Sequence, residues 1–109
     1  MTNKLIDLNE RVTAAILRAE RLPRGSIGAR DAYGEVSRLE EQIARLTAPI
    51  ETQGEVARIG AAMAAIKAGE PLRALMLIYR YRKETLSPEA EEDMDRLELE
   101  ARSARRESL

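Results

Sequence analysis

The side chains best suited to chemistry in this 109-residue chain are carboxylates and guanidinium groups, since it contains neither His nor Cys. That absence excludes thiol nucleophiles, disulfides, His-based triads, haem ligation and the usual zinc sites. The carboxylates are densest at Glu89, Glu91, Glu92, Asp93, Asp95, Glu98 and Glu100. Within that run, Glu91-Glu92-x-x-Asp95 sets acids one helical turn apart, which is half of a two-helix magnesium site. The other half requires a second acidic i,i+3 pair. Glu40-Glu41 has Ala44 where that carboxylate is needed, and no acidic pair follows the run. The expected role of the run is a solvated helix face, with no metal and no cofactor.

The basic residues form two groups. Tyr79-Arg80-Tyr81-Arg82-Lys83, with Arg73 upstream, contains no acid over residues 71–83. Arginine binds phosphate or carboxylate in a fork, and tyrosine stacks on bases or packs beside a backbone. Three readings stay open for this stretch: packing against the acidic C-terminal segment, contact with an acidic protein, or contact with a nucleic-acid backbone. The second group is Arg18, Arg21, Arg24 and Arg30, around a Pro/Gly linker. It suits phosphates, or pairing with Asp31 and Glu35. The spacing of Ala65-x-x-x-Gly69 before Leu75 and Ile78 faintly suggests a helix-turn-helix, but Glu70 occupies a usually apolar place. No serine has a base beside it, and Gly25-Ser26-Ile27-Gly28 lacks the length and Lys of a phosphate loop.

The elements that must carry these groups are helices. Ala, Glu, Lys, Leu and Arg supply 63 residues, about 58%, a composition typical of long helices or coiled coils. Pro23, Pro49, Pro71 and Pro88 divide the chain into five shorter segments. The expected organisation is one all-α domain over 1–109: an N-terminal helix at 1–22, a helical hairpin at 29–68, an apolar and basic helix at 71–86, and an acidic helix at 88–107.

Leu5, Leu8, Val12, Ala15, Ala19 and Leu22 form the first apolar stripe. Ala32, Val36, Leu39, Ile43, Leu46 and Ile50 alternate by four and three, a coiled-coil-like seam. Thr52-Gln53-Gly54-Glu55 matches a capping box, or else Thr52 lies inside a helix begun at Pro49. Val56, Ile59, Met63 and Ile66 predict the buried stripe of a third helix, which many alanines mark as central. Leu72, Leu75, Met76 and Tyr79 predict that of the fourth, with Leu77 and Ile78 widening it. Ala90, Met94, Leu97, Ala101 and Ala104 give a weak stripe for a partly frayed fifth helix.

Leu, Ile and Val total 24 residues, a thin supply for five helices. Self-association is therefore expected, through Val36, Leu39, Ile43, Leu46 and Ile50 and through Leu72, Leu75, Met76 and Tyr79. Net charge is −1, so bulk charge names no partner. No apolar run approaches the roughly 20 residues that span a bilayer, and Asp7 and Glu10 lie where a signal peptide would be basic, so no membrane is expected and cytoplasm is the default. The leading expectation is a non-catalytic, homo-oligomeric helical adaptor that presents charge to another macromolecule. The rival is a sequence-nonspecific DNA-binding or DNA-packaging accessory subunit, in which the two clusters of an oligomer, Arg73, Arg80, Arg82 and Lys83 with Arg18, Arg21, Arg24 and Arg30, line one surface and hold phosphates.

Overall fold

Thr2, Ser26 and Ser87 each open a helix by accepting a hydrogen bond from the backbone N–H three residues on, at 3.2, 3.2 and 3.1 Å. In the computed structural model, which describes residues 2–107, these caps start α1 (Asn3–Glu20), α2 (Ile27–Arg45) and α5 (Pro88–Glu107). Between α2 and α5 lie α3 (Thr52–Lys67) and α4 (Pro71–Tyr81), and the described residues contain no strand. The capping box at Thr52 does not form: Glu51 is the N-cap and contributes no side-chain bond. Glu55 is needed elsewhere, since its carboxylate accepts from the backbone N–H of Ser87 at 3.1 Å. The third helix ends as its sequence predicts. Gly69 adopts φ +77°, Gly69 N–H donates to Ile66 at 3.0 Å, and Glu70 N–H donates to Ala65 at 2.9 Å. Pro71 then begins α4.

Helix α1 packs on α2, α2 on α3, and α3 on both α4 and α5, which also pack on each other. The principal extents are 36 × 28 × 17 Å, so the assembly is a slab and every helix keeps a face toward solvent. The predicted stripe of α1 is buried from Leu5 to Ala19, and Leu22 lies beyond the helix, exposed. In α2, Ala32, Val36, Leu39 and Ile43 are buried. Helix α2 stops at Arg45, leaving Leu46 and Ile50 exposed in the following turn. The buried residues of α5 are Ala90, Met94, Leu97 and Ala101, and the helix extends to Glu107.

Two helices bury a different face from the one their large residues predict. In α3 the buried apolar side chains are Ala57, Ala61, Ala62, Ala64 and Ala65, while Val56 is exposed and Ile59, Met63 and Ile66 are half-buried. Three neighbours approach this helix, and only small side chains let several backbones come close. In α4 the buried face is Ala74, Leu77, Ile78 and Tyr81, with Leu72, Met76 and Tyr79 outside and Leu75 half-buried. That helix is apolar nearly all round, so tertiary contact rather than pattern selects the face.

Candidate macromolecular interface

The basic stretch of α4 is brought to carboxylates from two directions. Glu41 of α2 is buried and accepts from Arg73 at 2.8 Å, Arg80 at 2.8 Å and Arg45 at 2.9 Å. Burial alone would raise its pKa. The hydrogen bonds from Arg73 and Arg80, with the charges of Arg73 and Arg45, hold it below the ordinary carboxylate range instead. Arg73 also donates through Nε to Ser37 Oγ at 3.2 Å, and that buried hydroxyl donates to the Ala61 carbonyl at 2.8 Å. Arg82 turns the other way, to Asp95 and Glu98 of α5, the latter at 3.4 Å. Of the three readings left open for this stretch, packing against the acidic helix therefore describes Arg82, whereas Arg73 and Arg80 turn to α2.

The two tyrosines of the stretch part company. Tyr79 is exposed and carries the Lys83 ammonium 4.4 Å from its ring centroid. Tyr81 is buried beneath the Arg58 guanidinium, 5.6 Å from its ring centroid, and is withdrawn from any partner. Among the described residues its hydroxyl has no hydrogen-bond partner. A cavity of about 130 Å³ beside it is bordered by Glu41, Arg58, Arg80 and Glu84. Arg58 is only 4% exposed, and no sequence pattern marks it. It donates to both Glu84 oxygens at 2.7 and 3.1 Å, and to the carbonyls of Ala44, Thr47 and Gly54 at 3.0, 3.2 and 3.0 Å. The first of these carbonyls is in the last turn of α2 and the second lies just beyond its end, where a helix terminus leaves acceptors short of intrahelical donors.

Along the outer side of α4, Leu72, Met76 and Tyr79 are 55, 65 and 68% exposed. They border a groove of about 600 Å³ between α4 and α5 that also meets Lys83, Arg102 and Arg105. Glu98 is its one acid, and it holds Arg102 at 2.9 Å as well as Arg82. This is an apolar strip with a basic margin. Charge at Arg102 and Arg105 is visible in the sequence, but there it reads as a complement to the negative end of α5.

The other basic group lies at the corner between α1 and α2. Arg18 pairs with Glu35, as one of its two readings supposed. Arg21, Arg24 and Arg30 are exposed and make no ion pair among the described residues. Arg24, Arg30 and Lys67 border a pocket of about 500 Å³. The long separation of Lys67 from these arginines hides it from a sequence reading. Asp95 and Glu98 hold Arg82, while Asp93 and Glu100 pair with Arg96 at 3.1 and 3.4 Å. No group of three acids among the described residues is arranged to hold a metal ion. No described helix is long and apolar enough to cross a membrane.

The seam residues need a correction. Val36, Leu39 and Ile43 are buried among the chain's own helices, at most 4% exposed, and offer a second copy almost no surface. The physical reason is that α1 and α3 both lie on α2 and cover its stripe from two sides. Leu46 and Ile50, with Leu72, Met76 and Tyr79 on α4, are the interface candidates that remain open. No protein-family model, curated protein or solved structure matches this chain.

Proposed function

We propose that this chain is a non-catalytic, homo-oligomeric helical adaptor. Its copies associate through the outer stripe of α4, and the basic margin of the α4–α5 groove is presented to an acidic protein partner. The observation that carries this reading is the row Leu72, Met76 and Tyr79, three large residues in line and all more than half exposed. Such a row costs solubility unless something covers it. Arg73, Arg80 and Arg82 already lie on carboxylates, which removes three of the charges that a phosphate backbone held along this face would need. Equilibrium sedimentation tests the assembly: the native chain is expected to associate at micromolar concentration, and Met76→Glu to be monomeric with unchanged helicity. A monomeric native chain overturns the reading.

A second reading is favoured by one observation only. Arg21, Arg24 and Arg30 lack carboxylate partners among the described residues, and Arg24 and Arg30 border one pocket with Lys67. The α1–α2 corner suits a nucleic-acid backbone held without reading of sequence. Duplex binding that falls steeply with salt, and is lost in Arg24→Ala/Arg30→Ala, supports it. No retention at low salt removes it.

A further inference from the structure

Helices α1 and α3 both pack along α2 but not on one another. Between them runs an open trough of about 660 Å³ with α2 as its floor. The wall on α3 is Val56, Ile59 and Met63, the large stripe that the alanine-lined core of that helix leaves outside. Ile16 faces them from α1. Of the four charged residues that line the trough, Glu40 is the one on its floor, α2. The Glu40 carboxylate rests against Gly60, where any Cβ would collide with it. Among the described residues it has neither a hydrogen bond nor an ion pair.

The other charged groups around the trough are Glu20 of α1, Arg24 of the following loop and Lys67 of α3. Lys67 is held over the Tyr33 ring, 5.3 Å from its centroid. Burial pushes Glu40 up to about 7, so covering the trough while Glu40 is ionised requires a cation.

We propose that this trough seats an amphipathic helix of a partner protein, with one lysine or arginine in its apolar face set against Glu40. The wall from Val56 to Lys67 rises about 16 Å, three turns of an occupying helix. An open top and apolar positions at helical spacing are features of helix-in-groove recognition. The sign of Glu40 selects a cation at that point of the helix. This trough lies apart from the α4–α5 groove, since α1 touches neither α4 nor α5.

The probe is a 16-residue leucine-striped helical peptide with a central lysine, titrated by fluorescence anisotropy against the full chain. At pH 8 the peptide is expected to bind, and Glu40→Gln to weaken it at least tenfold without change in helicity. Met63→Ser, which removes apolar wall and leaves Glu40 in place, is expected to weaken it as well. A lysine-to-glutamate peptide should not bind. Protonation of Glu40 should weaken binding to the native chain about tenfold between pH 8 and 5.5, while Glu40→Gln stays flat. The proposal is overturned if the lysine peptide fails to bind, or if Glu40→Gln binds it equally well. It is also overturned if only octylammonium binds with this Glu40 dependence, which makes the occupant a small amine. Self-association abolished by Glu40→Gln would make it a second copy.

Discussion

Glu40 and Glu41 are neighbours on α2 whose carboxylates have opposite surroundings. Glu41 accepts from Arg45, Arg73 and Arg80, whereas Glu40 sits against Gly60 with no partner among the described residues. Successive residues on a helix point about 100° apart, so α2 directs one acid toward the arginines of α4 and the other into the trough.

Their titrations therefore move stability in opposite directions. Glu40 is raised to about 7 by burial, so the folded state holds its proton more tightly than the unfolded chain. That contribution is complete below about pH 4.5 and is lost as pH rises through about 7. A shift of this size corresponds to about 3 kcal/mol for a fully desolvated group, and screening in the open trough reduces it to about 1 kcal/mol. Glu20, Arg24 and Lys67 border the same trough and set its local field. Glu40→Gln is expected to match the native chain at pH 5 and to exceed it by about 1 kcal/mol at pH 8 in urea unfolding. A native advantage at pH 8 would show that Glu40 is paired.

Glu41 behaves in the reverse sense. Its folded pKa is lowered, so its contribution is present above the unfolded value and lost as pH falls through the folded one. Glu41→Leu leaves Arg73 facing a buried apolar side chain and is expected to cost about 3 kcal/mol at pH 7. Denaturation by acid should then show a weaker pH dependence below about pH 4.5 than in the native chain. An unchanged acid limb would place the acid sensitivity in other carboxylates.

Arg58 forms five hydrogen bonds across α2, α3 and the segment between α4 and α5. Only a planar fork can supply them together, since lysine has one nitrogen and no Nε–H. Arg58→Met should destabilise by about 3–5 kcal/mol, because Glu84 and the α2 carbonyls lose their donor. Arg58→Lys should recover less than half of that. Full recovery by lysine in denaturant melts would mean that charge alone, and not the fork, holds these segments together.

The division between what is legible in the sequence and what is not follows from these contacts. The stripes of α1, α2 and α5 read directly, because each has one apolar face with polar residues opposite. In α3, packing selects alanines over Val56, Ile59 and Met63, and alanine carries little periodic signal. In α4, hydrophobic residues surround the helix, so either of two faces satisfies the pattern. Arg73 and Arg80 lie 32 and 39 residues from Glu41, and Arg58 lies 26 from Glu84. No local rule links charges at those separations. The basic stretch was visible as a unit, but the fold divides it among Glu41, Asp95 and the exposed Tyr79.

Gly54 lies in the first turn of α3, beneath the turn that follows α2. A Cβ there would collide with the Ala48 carbonyl, which is backbone and cannot swing aside. Helix propensity alone favours alanine over glycine by about 1 kcal/mol. Gly54→Ala is nevertheless expected to destabilise by about 1–3 kcal/mol through overpacking, read as a lower thermal midpoint. Stabilisation would mean that the turn shifts freely. Gly60 provides the contrast, since its near neighbour is the flexible end of Glu40.

Tyr81 combines a well-packed ring with a hydroxyl that has no partner among the described residues. Burial raises its pKa to about 12, with the Glu41 charge pushing the same way and Arg58 and Arg80 opposing. Removing an unsatisfied buried hydroxyl while keeping the ring takes away a desolvation penalty and little packing. Tyr81→Phe is therefore expected to be neutral or to stabilise by about 1 kcal/mol, whereas Tyr81→Ala should cost about 3–5 kcal/mol by opening a cavity against Arg58. The two variants separate ring from hydroxyl in a single pair of urea titrations. Loss of more than about 1 kcal/mol in Tyr81→Phe would show that the hydroxyl is hydrogen-bonded in solution and belongs to the Glu41–Arg80 cluster.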